Sequence, residues 1–239
     1  MLSKSQIKLI TSLKQKKYRQ QHGFFVVEGI KTINELLQSN FLLHILYTTE
    51  SFNIDAKKEV LISEADLKRI SFLTTPNKAL AIFKIPEPKA ISNEKLIVAL
   101  DAIRDPGNLG TIIRLCDWFG VKNLVCSIKT VDCFNPKVIQ ATMGSITRVN
   151  ISYVDLVEFL SEIKLPIYGA FMEGENIYAK QNLKAGVLVM GNEANGVSKE
   201  VEALIKEKVS IPRFGQLQVT ESLNVATATA ILLSEFKRR

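Results

Sequence analysis

The sequence predicts an α/β protein in two parts: a small α/β domain over residues 1–88 and a larger α/β domain with a mostly parallel sheet over residues 94–239. Three observations lead there. Short apolar runs alternate with helical periods along the chain, the pattern of sheets covered by helices. A Pro-containing, aperiodic seam, KIPEPKAISNEK from Lys84 to Lys95, interrupts that alternation and reads as a linker. Charge divides at the same place. Residues 1–93 carry 14 Lys/Arg against 8 Asp/Glu, whereas residues 94–239 carry 17 against 16.

Before the seam, a helix near Ile7–Leu13 leads to an apolar strand at Gly23–Val27. A helix at Lys31–Leu37, a strand at Leu42–Tyr47, a helix at Glu64–Ile70 and a strand at Leu80–Phe83 follow. After it, LIVAL (Leu96–Leu100) is a continuous apolar run, as expected of a parallel strand buried on both faces. Then come a helix at Leu109–Phe119, a strand at Asn123–Ser127, a short helix at Pro136–Thr142, a strand at Arg148–Tyr153 and a helix at Leu156–Ile163. Strands at Ile167–Phe171, Val187–Met190 and Val209–Ile211 complete the sheet, with a helix at Lys199–Lys206 before the last. The closing stretch, TESLNVATATAILLSEFKRR, reads as a buried helix from Leu223, with Leu223, Ala226, Ala230 and Leu233 on one stripe. Its first turn contains Asn224, a poor helix former, and Ser222 is the expected cap.

Composition excludes several classes. A hydrophobic content of 46% supports a sizeable core. No run of about 18 apolar residues is present to span a membrane, and MLSKSQIKLI lacks the apolar region of a signal peptide, so a cytoplasmic protein is expected. Cys116, Cys126 and Cys133 have neither the number nor the spacing of a disulfide framework or zinc site, and no metal is expected. The first twenty residues hold Lys4, Lys8, Lys14, Lys16, Lys17 and Arg19, and no acid precedes Glu28. Such a basic face attracts phosphate backbones by counterion release, making Lys14, Lys16, Lys17 and Arg19 candidate RNA contacts; a solvated, solubilising face is the alternative.

Ligands of open α/β sheets bind at the carboxyl ends of the strands, so the polar residues following each strand matter most. Three clusters stand out. ALDAIRDPGNLGTIIR (Ala99–Arg114) places Asn108 at or near a helix start and Arg114 inside an apolar helix, where a permanently charged guanidinium needs an anion or a wet cleft; a snorkelling surface arginine is the alternative. LVMGNEANGVS (Leu188–Ser198) has the glycine spacing of a phosphate loop, but Val197 occupies the position of its lysine. A glycine-flanked turn with Glu193, Asn192 and Asn195 at its rim remains, or an ordinary turn capped by Ser198. SIPRFGQLQVTESLNVATATA (Ser210–Ala230) joins a strand to the final helix.

DPGNLGTIIR, LVMGNEANGVS and IPRFGQLQVTESLNVATATAILL resemble, in content and order, the three motifs of the SpoU (TrmH-like) RNA ribose 2′-O-methyltransferases of the SPOUT superfamily. The resemblance covers about Lys95 to Arg239, and FFVVEGIKTINELL looks like the substrate-binding domain of the rRNA-directed branch. It implies a C-terminal trefoil knot, an exception to the usual absence of knots. It further implies S-adenosylmethionine held by Gly191, Ile211 and Leu223, and a reaction centre of Ser222, Asn224, Asn108, Arg114 and Glu193. The substrate would be 23S rRNA, with tRNA as the alternative. Arg114 would bind phosphate and stabilise the developing 2′-oxyanion, because a permanently charged guanidinium is an awkward base. The loop from Ile211 to Leu223 looks longer than in close relatives, which bears on Phe214–Gln218. A homodimer is expected, from the resemblance and from a final helix that is apolar nearly all round. A non-catalytic RNA-binding relative would be expected to lose Arg114, Glu193 or Asn224, all of which are present. A nucleotide-binding enzyme of another kind is opposed by the absent phosphate-loop lysine and dinucleotide fingerprint.

Overall fold

Ser3 opens the first helix with a capping box: its hydroxyl accepts from Gln6 N while the Gln6 side chain accepts from Ser3 N. The resulting α1 (Lys4–Ser12) is followed by α2 (Lys16–His22), β1 (Phe24–Glu28), α3 (Ile30–Leu37), β2 (Leu43–Thr48), β3 (Glu59–Leu61), α4 (Glu64–Ile70) and β4 (Ala79–Lys84). This is a computed structural model, and it describes residues 2–92, 96–181, 183, 185–215, 217 and 222–238. The expected domain start at residue 94, and residues 216 and 218 of the long loop, lie outside the described residues.

These elements build a four-stranded sheet in the order β1-β4-β2-β3, antiparallel except for the β2–β3 pair. Alternation along β1 sends Val26 to one face, among Ile10, Leu13, Leu67 and Ile70 of the flanking helices. Phe25 faces the other way, with its ring 6.1 Å from Phe83 and 4.8 Å from Phe134. Two elements escaped the sequence pattern for evident reasons. KKYRQQH of α2 has no apolar stripe, and β3 is three residues long at the sheet edge.

Arg19 corrects one expectation. It is 1% exposed and cannot offer its charge to RNA. Its guanidinium donates to Asp132 Oδ2 from Nε (3.0 Å) and from the second terminal nitrogen (2.5 Å), and to the carbonyls of Leu13 and Lys14. A charge buried this deeply persists because it is paired and each of its three nitrogens is hydrogen-bonded. Lys14, Lys16 and Lys17 are exposed, as a phosphate contact requires.

Asp132 introduces a second difference. The chain divides into two units, one reaching to Glu87 and including Asp132–Thr147, the other comprising Pro88–Val131 and the chain from Arg148. The seam in the sequence places everything from 94 onward in the second domain. Asp132–Thr147 instead joins the first unit, because Asp132 neutralises Arg19, Phe134 packs on Phe25 and the helix that follows lies against β1.

The second unit contains β5 (Ile97–Leu100), α5 (Pro106–Trp118) and β6 (Asn123–Ser127). After α6 (Pro136–Thr142), which belongs to the first unit, come β7 (Asn150–Val154), α7 (Leu156–Glu162), β8 (Ile167–Asn176), β9 (Val187–Met190), α8 (Lys199–Glu202), β10 (Glu207–Ser210) and α9 (Val225–Arg238). Among the described residues, six strands form a fully parallel sheet in the order β10-β8-β9-β5-β6-β7. Central β5 and β9 are buried throughout, which explains their continuous apolar sequences. One face is filled by Leu156, Leu160, Val201 and Ile205 from α7, α8 and the turn after it. α9 packs against α5, and its Val225, Ala226, Thr229, Leu232, Leu233 and Phe236 are buried within the single chain, Phe236 with its ring against Tyr168 of β8. Its helix begins at Val225, and Leu223 is 49% exposed.

Candidate active site

Because the sheet is parallel, the polar segments after β5, β9 and β10 emerge on one side of it. The cap of α5 is Asp105 rather than Asn108: its carboxylate accepts from Asn108 N at 2.7 Å. That leaves the Asn108 side chain free. The cap of α9 is Asn224 rather than Ser222, with Oδ1 accepting from Ala226 N (2.9 Å) and Thr227 N (3.3 Å).

Capping settles the orientation of three side chains in succession. With its oxygen turned to the helix, Asn224 presents Nδ2 outward and donates to Asn108 Oδ1 at 2.9 Å. Asn108 must therefore turn its own Nδ2 the other way, where it donates to Glu193 Oε1 at 2.6 Å. Residues 108, 193 and 224, each from a different cluster, thus form one hydrogen-bonded chain. A polar residue at the head of the apolar helix α9 is explained by this double duty.

Glu193 is held by a tight turn. Asn192 N donates to Gly196 O, and Gly196 N returns the bond to Asn192 O, both at 2.8 Å. The Asn192 side chain accepts from Ala194 N and Asn195 N and donates across to Ala102 O at 2.7 Å. Ala102 has φ +56, an uncommon conformation for a residue with a side chain, and this bond helps hold it there. Nearby, Asp101, 6% exposed, accepts from both Ser198 N (2.7 Å) and Ser198 Oγ (2.6 Å). Ser198 spends its hydroxyl here instead of capping α8. Gly191 is required because a Cβ on it would overlap the backbone of Gly196 and Val197.

Beside the turn lies a cavity of about 930 Å³ whose lining includes Gly191, Glu193, Ile211, Ser222 and Leu223, so all three expected cofactor residues meet in one space. Its walls are mostly apolar, from Phe171, Met172, Met190, Val209 and Leu232. Size and character fit a small-molecule cofactor with an apolar portion. Asp101, the cross-linking role of Asn192 and the wall from β8 are not marked by the motifs in the sequence. The position of Asp101 directly after a buried strand was the available signal.

Arg114 is not brought to this cluster. It is exposed on α5, does not line the cavity, and has no hydrogen-bond or ion-pair partner among the described residues. Nor could a thiol substitute as a proton acceptor: all three cysteines are buried, and burial, then the charge of Asp117, pushes the Cys116 pKa up to about 12.

The chain is similar to known proteins in both of its parts. Residues 95–234 match the model of the SpoU rRNA methylase family. The chain belongs to that family. Residues 4–81 match the MRM3-like substrate-binding domain that accompanies it. The chain is 29% identical over 230 residues, 92% of its length and 91% of the relative's, to the 23S rRNA (guanosine(2553)-2'-O)-methyltransferase RlmP of Bacillus subtilis. It is similar over its whole length to a solved structure of an RNA methyltransferase of the TrmH family from Porphyromonas gingivalis, with 38% identity, 99% of that chain covered and a TM-score of 0.90. An AdoMet-bound rRNA methyltransferase from Sinorhizobium meliloti is 28% identical, with 100% of this chain and 97% of that one covered and a TM-score of 0.87.

Proposed function

We propose that this protein transfers a methyl group from S-adenosylmethionine to a ribose 2′-hydroxyl of 23S rRNA, in the cytoplasm and as a homodimer. The observation that carries the reading is the cavity lined by Gly191, Ile211 and Leu223 with the Asn224–Asn108–Glu193 chain anchored at its wall. Family membership and the likeness to the Bacillus subtilis rRNA enzyme support it. The C-terminal trefoil knot implied by the motifs belongs to the same reading.

S-adenosylmethionine, when bound, supplies an electrophilic methyl group on a positively charged sulfur. The apolar wall of Met190, Val209 and Leu232 shields the reacting region from water, and Gly191 and Ile211, which also line the space, are the residues assigned to hold the cofactor. Asn108, locked by its two partners, and Ser222 orient the attacking hydroxyl. As that hydroxyl loses its proton to solvent water, its oxygen gains negative charge and needs a nearby cation. Glu193, whose carboxylate holds Asn108, serves positioning. Arg114 is the cation assigned to the oxyanion and an adjoining phosphate. Its exposed place away from its own cavity accords with a dimer in which each copy's arginine serves the other's site.

Tritium transfer from the cofactor into rRNA, run beside calorimetric cofactor binding, tests the assignment. Arg114→Ala should keep cofactor affinity and lose methyl transfer by about two to three orders of magnitude. Arg114→Lys should rescue little, since an ammonium lacks the planar fork that grips phosphate and oxygen together. Near-normal turnover in Arg114→Ala would remove the arginine from the reaction centre. Sedimentation at micromolar concentration tests the dimer, which a mass near 26.7 kDa would refute.

A further inference from the structure

Both histidines of the chain lie outside the site above, both are exposed, and each is stacked on an aromatic ring of the first unit. His44 lies over Phe24 with ring centroids 4.3 Å apart and planes 25° from parallel. His22 lies over Tyr18, one helical turn earlier on α2, at 6.5 Å and 21°. The two stacks adjoin along the chain. Gly23, with φ +67, ends α2 and passes directly into β1, so the Cα atoms of His22 and Phe24 lie within about 7 Å. Cations flank the pair. Lys17 Nζ is 5.9 Å from the Tyr18 centroid, and Lys84 pairs in register with Phe24 across the sheet. Neither lysine has an ion-pair partner among the described residues. Partial burial, then the Lys84 charge, holds the His44 pKa below the ordinary histidine value, which favours the uncharged ring.

Two outward-facing planar rings between two unpaired lysines have a specific chemistry. Buried aromatics bring core stability, and isolated surface lysines bring solubility, but alternating rings and cations at the surface combine stacking with phosphate attraction. Bases of a duplex have both faces occupied by their neighbours, whereas unpaired bases have faces to offer. We infer that Lys17, Tyr18, His22, Phe24, His44 and Lys84 form a binding strip for unpaired RNA nucleotides. Bases stack on the two imidazoles and phosphates lie against the two lysines. This rests on the RNA-directed reading above and sharpens it: the first unit takes a loop, bulge or end of the substrate rather than a regular helix.

The test is fluorescence anisotropy of the full chain with a labelled oligoadenylate of about 12 nucleotides, within the span of one single-strand site, and with an RNA duplex of the same length. His44→Ala and His22→Ala should each weaken oligoadenylate binding about tenfold, the scale of one base–ring stack, without changing the salt slope. His44→Phe keeps a planar ring and should bind like the parent, which separates stacking from loss of structure. Lys17→Ala should instead reduce the salt slope by about one. Parental affinity in both alanine variants would overturn the strip, as would an equal loss on the duplex. If the parent binds neither RNA, the RNA-directed reading fails as well, so the two failures are distinguishable.

Discussion

At the residue scale, Asn224 performs two separable tasks with its two amide atoms. Oδ1 caps α9, and Nδ2 holds Asn108 in place for Glu193. Asn224→Asp keeps an acceptor for the helix and loses the donor, so thermal stability should be retained while methyl transfer falls. Asn224→Ala loses both, and should also cost about 1 kcal/mol of stability. Equal activity in the parent and the aspartate variant would show that the hydrogen-bonded chain is dispensable. Glu28 gives a pH prediction. Burial raises its pKa above the ordinary 4.5, against the lowering effects of Ser71, Phe72 N and Lys14. A raised native pKa means the folded state binds the proton more tightly, so stability is full below 4.5 and declines as pH rises through the raised value. Glu28→Gln can still accept from Phe72 N and can donate to Ser71, so it should flatten the melting temperature against pH in that window.

At the scale of elements, the turn after β9 is a rigid part built from local rules. Gly191 leaves no room for a side chain, Asn192 closes the turn on itself, and the Asn192 amide and the Asp101 carboxylate fasten it to the end of β5. Gly191→Ala forces the turn open against backbone atoms that cannot yield cheaply, so cofactor affinity measured by calorimetry should drop at least about tenfold. Unchanged affinity would mean that the turn does not shape the cofactor site. The pair of Arg19 in α2 and Asp132 ahead of α6 is the corresponding fastening in the first unit. Asp132→Ala strands a buried guanidinium and should destabilise that unit by about 3–5 kcal/mol in denaturant unfolding. A loss below about 1 kcal/mol would show that the arginine finds another partner.

At the scale of the molecule, the division of labour by charge and the division by packing do not coincide. The basic unit that precedes the seam also holds Asp132–Thr147, with Phe134 on Phe25 and α6 on β1. Removing residues 1–93 should therefore do more than abolish tight RNA binding. It uncovers Phe134, Val138 and Ile139, and the remaining chain should unfold at lower temperature and self-associate unless those positions are made polar. A truncated chain that is monodisperse and as heat-stable as the parent would show that Asp132–Thr147 finds another home.

The sequence by itself determined the order of the main helices and strands, the parallel sheet of the second unit, the three polar clusters and the family to which they belong. Those features are written in apolar periodicity, turn residues and motif spacing, all of which act over a few positions along the chain. Even the elements it missed, α2 and β3, are those without an apolar pattern of their own. Tertiary structure decided which residues meet. It joined Asn224 to Asn108 and Asn108 to Glu193, gave the cap of α9 to Asn224, took Arg19 out of the candidate RNA surface, and returned Asp132–Thr147 to the first unit. Each depends on atoms separated by about eighty residues or more, or on a competition for one side chain between a helix end and a distant partner. No local pattern records the outcome of such a competition, because its energy exists only once the sheet has brought the strand ends together.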